Sequence, residues 1–241
     1  MYVRKIILQS TVDGPGNRVA VFLQGCNIRC AYCHNPETHP LYQPCMADVS
    51  DMPVADIVAE IRKCMPFIRG ITVSGGECML QAGEVEQFFE SVKSEYRNLT
   101  CLIDSNGTIP FARYPHLLEL CDGVMLDVKA LDSKVYENLT GATNDSIVKE
   151  NLRLLLQCDK LTEVRIVCLP DKSPVTTDVE NILNYLVATR GFVEKNIPVR
   201  LLRFRPHGVV GLLSKMPVPS NEQMQRYVAL AQEKGLNISV K

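Results

Sequence analysis

Net charge is nearly absent from this 241-residue chain, in which 26 Lys and Arg face 27 Asp and Glu for a formal charge of −1. So even a balance excludes a global field that would draw in nucleic acid, and no nucleic-acid partner is expected. Long apolar runs are missing too. None reaches the roughly 18 residues that a membrane-spanning helix needs, so no membrane association is expected. The opening Met1-Tyr2-Val3-Arg4-Lys5 leads into a short strand-like stretch. It has neither the apolar core nor the small-residue cleavage site of a secretory leader, and the expected location is the cytoplasm. Cysteine is too sparse for a disulfide scaffold, at ten in 241 residues. In a reducing compartment, grouped cysteines signal metal binding or catalysis more often than bridges. Repeats, low-complexity tracts and linkers are also missing, which points to one domain over residues 1–241.

What is present is an alternation of strand-like and helical segments. Strands are expected at Arg18–Gln24, Gly70–Val73, Thr100–Asp104, Gly123–Asp127, Glu163–Leu169 and Val199–Phe204. Helices are expected near Pro53–Cys64, Gly83–Tyr96, Tyr114–Leu120, Ser146–Gln157, Thr177–Thr189 and Asn221–Glu233. Such alternation implies parallel strands with helices packed outside. Continuous apolar runs, as in Val164-Arg-Ile-Val-Cys-Leu169, suit strands covered on both faces. Polar residues gather where three strands end, at Ser74-Gly75-Gly76-Glu77, Asp104-Ser105-Asn106-Gly107 and Asp127-Val128-Lys129. In β/α barrels that end carries the active site. Six strands suggest a partial barrel.

The densest chemistry lies in Gly25-Cys26-Asn-Ile-Arg-Cys30-Ala-Tyr32-Cys33-His34-Asn35, a C-x3-C-x2-C spacing. Three thiolates on one short loop can ligate three irons of a [4Fe–4S] cluster, which commonly takes four cysteines. With no fourth cysteine in the loop, one iron stays open to a small molecule, as a reactive metal centre requires. Other readings of the same residues exist. Cys30-x-x-Cys33-His34 has the form of a covalent haem attachment, which needs export; a Cys3His zinc site accounts for the ligands but not for the polar strand ends. Cys45, Cys64, Cys78, Cys101, Cys121, Cys158 and Cys168 are scattered, and most read as small core hydrophobes. Ser74–Glu77 could be an ordinary strand-to-helix turn, Asp127 and Lys129 an internal ion pair, and Asp13 a turn former in Asp-Gly-Pro-Gly.

Taken together, these segments resemble the radical S-adenosylmethionine superfamily, and within it the activating enzymes of glycyl radical enzymes, of the pyruvate formate-lyase activase kind. The resemblance rests on Val12-Asp-Gly-Pro-Gly16 with Arg18, Phe22-Leu-Gln-Gly-Cys26 through Asn35, Thr72-Val-Ser-Gly-Gly-Glu77, Asp104-Ser-Asn-Gly107 and Val124-Met-Leu-Asp-Val-Lys129. Gly70–Glu77, Cys121-Asp-Gly123 and Pro206-His-Gly-Val209 are similar to a poorly characterised subgroup of these activases. Its ferredoxin-like insert has no counterpart here, because only Cys45 and Cys64 fall between His34 and Ser74.

The resemblance implies a partial (β/α)6 barrel of TIM type, a radical S-adenosylmethionine core and anaerobic chemistry. It implies a [4Fe–4S] cluster on Cys26, Cys30 and Cys33, with S-adenosylmethionine as cofactor. Ser74, Gly75, Gly76 and Glu77 would meet the methionyl amine, and Tyr32, Cys33 and His34 the adenine. Asp104, Asp127, Val128, Lys129 and Arg165, with Arg205 or His207, would complete the cofactor site. A monovalent cation could sit on Asp104, Ser105, Met125 and Asp127. Asp13 would grip the glycine loop of a partner glycyl radical enzyme, and a flavodoxin or ferredoxin-type protein would supply electrons. The rival activities are radical chemistry on another peptide or small molecule, and metal binding without catalysis.

Overall fold

A computed structural model describes all 241 residues, Met1–Lys241. The chain forms two compact units: Met1–Asn27, Glu37–Ser105 and Ile109–Met125 in one; Ile28–Pro36, Asn106–Thr108 and Leu126–Lys241 in the other.

The first unit contains strands β1 (Tyr2–Ser10), β2 (Arg18–Leu23), β3 (Ser50–Asp51), β4 (Gly70–Gly75) and β5 (Thr100–Ser105). It also holds the start of β6 (Gly123–Asp127) and the helices α1 (Val54–Arg62), α2 (Ala82–Glu95) and α3 (Pro115–Leu120). Strand order is β3-β1-β2-β4-β5-β6. β1 is antiparallel to β3 and to β2, whereas β2, β4 and β5 are parallel. Arg18, Gly70 and Thr100 are in register at the starts of those parallel strands. Val19, Val21, Ile71, Val73 and Ile103 are fully buried, as are Phe88 and Phe89 of α2. A β-branched residue suits a strand that is covered on both faces.

The second unit contains the end of β6, then α4 (Ser133–Thr140), α5 (Asp145–Gln157), β7 (Leu161–Cys168), α6 (Val179–Ala188), β8 (Val199–Arg203), α7 (Asn221–Glu233) and β9 (Ile238–Val240). β7, β8 and β9 are parallel neighbours. Helix ends follow local chemistry. Asp132 caps α4 by accepting from the Lys134 and Val135 N–H groups, and Gly141, at φ 67°, ends it in the left-handed conformation. Val148, Leu152, Leu155 and Leu156 recur at helical spacing along the buried face of α5. All six strands and six helices expected from the sequence form. The strand-like opening forms the nine-residue β1, and β9, α4 and the two-residue β3 are additional. No helix is long and apolar enough to cross a membrane.

Candidate active site

In the first unit, the double glycine brings β4 against the root of the cysteine loop. An added Cβ on Gly75 would stand 2.2 Å from the Leu23 carbonyl oxygen, and one on Gly76 would stand 2.2 Å from that of Gly25. Gly76 N–H donates to Leu23 O at 3.0 Å and Glu77 N–H to Gly25 O at 2.8 Å. The glycines therefore permit close approach to the chain segment that leads into Cys26, a role the sequence alone did not separate from ligand binding. Glu77 is fully buried. Its Oε1 accepts from Met79 N–H at 3.0 Å and from Ser105 Oγ–H at 2.8 Å, capping the short 3-10 turn Cys78–Gln81. Ser74 Oγ donates to Asp104 Oδ2 at 3.1 Å, so the ends of β4 and β5 are joined. Met125 is buried on β6. Cys26 is also buried, and its N–H donates to His39 O.

Asp13 lies at the other end of these strands, where they start. It accepts from Ser10 Oγ at 2.5 Å, and its carbonyl accepts from Thr72 Oγ1 at 2.5 Å. The buried Arg18 guanidinium donates to Thr72 Oγ1 at 2.8 Å, continuing the network.

In the second unit, the cysteine loop docks on the last turn of α4. Arg29 N–H donates to Thr140 O at 2.7 Å and Ala31 N–H to Leu139 O at 2.8 Å. Cys33 N–H closes a turn onto Cys30 O at 3.0 Å, and both side chains are half-buried. His34 Nε2 lies 2.9 Å from Arg205 O. A carbonyl only accepts, so Nε2 carries the proton. The Arg205 and His207 side chains are exposed, and it is the Arg205 backbone that meets the loop.

Lys129 Nζ donates to Asp127 Oδ2 at 2.6 Å and stands 5.7 Å from the centre of the Tyr32 ring. Burial alone would pull this ammonium down, but Asp127, Tyr32 and Cys30 raise it well above the ordinary lysine value. Burial pushes the Tyr32 hydroxyl up, with Lys129 opposing. Both groups therefore keep their protons at neutral pH. Asp127 Oδ1 is buried and accepts no hydrogen bond, an acceptor that calls for a donor or a cation. Val128 is fully buried, and its N–H donates to Arg165 O at 2.9 Å. Arg165 Nε donates to Glu163 Oε1 at 2.6 Å, and Arg200 Nη2 lies 2.7 Å from Glu163 Oε2. Glu163 and Arg200 had escaped sequence reasoning. The available signal was two opposite charges spaced i, i+2 on one strand face.

A family model described as "4Fe-4S single cluster domain" matches residues 12–148. A protein of Haemophilus influenzae named as a glycyl-radical enzyme activating enzyme is 31% identical over 262 aligned positions, covering 98% of this chain and 94% of that protein. The pyruvate formate-lyase 1-activating enzyme of Escherichia coli K12 is 32% identical, covering 93% of this chain and 92% of its own. A radical SAM methyltransferase from Sphaerobacter thermophilus superposes with a TM-score of 0.63 at 16% identity, over 93% of this chain and 66% of that one. A domain of a pyruvate-formate lyase-activating enzyme from Bacteroides vulgatus gives 0.54 at 18% identity, over 71% and 98%. The structural likenesses speak for the fold, and they bear out the expected α/β class with its parallel strands. Within that class, the chain belongs to the family of glycyl-radical enzyme activating enzymes.

That family implies a [4Fe–4S] cluster and S-adenosylmethionine, and the residues fit both. None of the ten cysteines is in a disulfide, which leaves the Cys26, Cys30 and Cys33 thiols as donors. Nowhere do three His, Cys, Asp or Glu side chains converge as on a single metal ion. Thiolates of a four-iron cluster each take a different iron, a wider arrangement. The unbonded Asp127 Oδ1 beside a cationic Lys129 suits a ligand that carries donors and a carboxylate together, as an amino acid does.

Proposed function

We propose that this protein activates a partner glycyl radical enzyme by removing one hydrogen from the α-carbon of a glycine on that partner. The observation that carries the reading is the C-x3-C-x2-C loop, which offers three thiols and no fourth, together with relatives named as activating enzymes over nearly their whole length. Held on Cys26, Cys30 and Cys33, a [4Fe–4S] cluster with S-adenosylmethionine would supply one-electron reductive chemistry, with the electron coming from a donor protein, and the overall products would be methionine and a 5′-deoxyadenosine that carries the glycine hydrogen.

The chain's residues bind and orient. Cys26, Cys30 and Cys33 hold the cluster. Lys129 meets the methionyl carboxylate. Asp127 Oδ1 receives a cofactor hydroxyl or a monovalent cation. Tyr32, Cys33 and His34 lie along the adenine, and Arg165 contacts the cofactor. Ser74, Gly75, Gly76 and Glu77 shape the amine end, with Glu77 acting through the turn it caps. The Arg205 carbonyl fixes His34, and the side chain of Arg205 or His207 would contact the cofactor. Asp13 meets the partner loop. The reading places the protein in the cytoplasm with a flavodoxin or ferredoxin-type donor. No side chain needs to act as general acid, base or nucleophile.

The test uses reconstituted, reduced enzyme with S-adenosylmethionine and a peptide that bears the partner's glycine loop. With α-deuterated glycine, deuterium should appear in 5′-deoxyadenosine. Rapid 5′-deoxyadenosine formation without transfer, from peptide and intact partner alike, rejects glycine as the hydrogen source.

A further inference from the structure

Glu163 is a carboxylate in an expensive place. It is 8% exposed, in the middle of β7. An unpaired carboxylate at such a depth is costly, and here each oxygen is held by a different guanidinium. Oε1 accepts from Arg165 Nε at 2.6 Å, and Oε2 pairs with Arg200 Nη2 at 2.7 Å. The side chains of Glu163 and Arg165 are each 10% exposed, whereas that of Arg200 is 29% exposed. The buried pair thus consists of Glu163 and Arg165, and Arg200 braces it from the wetter side.

The strand geometry shows what the brace aims. Glu163 and Arg165 are two residues apart and project from the same face of β7. Arg165 is in register with Arg200 on β8. The Val128 N–H to Arg165 carbonyl bond sets Arg165 beside Asp127 on β6. Asp127, Arg165 and Arg200 therefore form one row across three strands, and the row contains the one carboxylate oxygen left buried without a hydrogen bond. A guanidinium held through Nε has the plane of its fork fixed by the holding acid. A flexible arginine would lose that orientation whenever it rotated.

We propose that Glu163, braced by Arg200, is the positioning residue for Arg165 and sets its guanidinium for the methionyl carboxylate of S-adenosylmethionine. This rests on the reading of Arg165 as a cofactor contact. Neither Glu163 nor Arg200 touches the cofactor; both act through Arg165.

A double-mutant cycle tests this with a binding readout. Affinity for S-adenosylmethionine is measured anaerobically on the cluster-loaded, oxidised enzyme, where no turnover occurs. Arg165→Gln and Glu163→Gln should each weaken binding about tenfold, the scale of one charge-assisted hydrogen bond. In the Arg165→Gln background, Glu163→Gln should then add nothing, since there is no guanidinium left to position. Arg200→Gln should weaken binding by a smaller factor, with Arg200→Lys restoring part of it. If Glu163→Gln does not yield folded protein, Arg200→Gln keeps the Glu163–Arg165 contact and completes the same cycle. Losses that multiply in the double variant overturn the proposal. Unchanged binding by Arg165→Gln overturns it as well and removes Arg165 from the cofactor site. The activase reading is judged separately by deuterium transfer.

Discussion

The carbonyl oxygen of His34 lies 2.2 Å from the point where a Cβ on Gly208 would stand. Gly208 has φ +78°, a conformation that L side chains rarely adopt, so both space and backbone select glycine. The cysteine loop and the segment after β8 are thus joined twice, here and through His34 Nε2 and the Arg205 carbonyl. Gly208→Ala should destabilise the protein by about 1–3 kcal/mol, the usual scale for strain at such positions. Urea unfolding should show this as a lower midpoint with unchanged slope. An unaltered midpoint would mean the two segments are not in contact.

The ten cysteines should separate into classes on alkylation. Cys45 and Cys158 are exposed, Cys30 and Cys33 half-buried, and Cys26, Cys64, Cys78, Cys101, Cys121 and Cys168 buried. In cluster-free protein, iodoacetamide at pH 8 should label Cys45 and Cys158 first and the buried six only on unfolding. After reconstitution with about four irons per chain, the half-buried Cys30 and Cys33 should become protected while Cys45 stays reactive. Mass spectrometry of the labelled peptides reads each site. Protection that extends to Cys45 would point to a second cluster.

Arg18 is 1% exposed, and its guanidinium is held by oxygens of neutral groups. It donates to Thr72 Oγ1, Pro15 O, Thr100 Oγ1, Ile71 O and Thr100 O. Burial lowers its pKa, which marks the cost of keeping a charge there. Arg18→Leu leaves those acceptors unmet and should cost about 3–5 kcal/mol. Arg18→Lys should restore little, because an ammonium is a point donor and cannot span three strand starts as a planar fork does. Equilibrium unfolding of the two variants checks both claims; a lysine variant as stable as the parent would show that charge alone suffices.

Much of this was legible in the sequence because the signals were local. Buried parallel strands announce themselves as β-branched apolar runs, and six did so. The cysteine spacing and the polar strand ends needed no tertiary information either. What escaped was what only packing decides. α4 was missed because its strongest marks are its ends, Asp132 and Gly141, rather than a long apolar stripe. Gly75 and Gly76 read as a ligand-binding segment or an ordinary strand-to-helix turn, and their close approach to the Leu23 and Gly25 carbonyls is a further demand that only packing reveals. Arg165 could be singled out, but its hold on Glu163 depends on β8 bringing Arg200 alongside. Asp13 reads as a turn residue from either end of a barrel, and only strand direction places it at the starts of β2, β4 and β5.

The last expectation concerns alkaline pH. Cys101 on β5 and Cys168 on β7 are fully buried, and burial pushes each thiol up to about 12 from an ordinary 9.0. An unfolded chain therefore ionises these thiols near pH 9, while the folded protein keeps them protonated. The folded state binds the proton more tightly, so the associated stabilisation is fully present below pH 9 and is lost as pH rises from 9 towards 12. Each thiol contributes a slope of up to about 1.4 kcal/mol per pH unit in that window. A Cys101→Ala/Cys168→Ala variant starts less stable at pH 8, because two buried sulfurs are gone, but it lacks this slope. Urea unfolding in oxygen-free buffer should show the gap between parent and variant shrinking from pH 8 to pH 11. A gap that stays constant over that range would show that these thiols ionise alike in the folded and unfolded chain, and that their burial does not govern the alkaline limit of the fold.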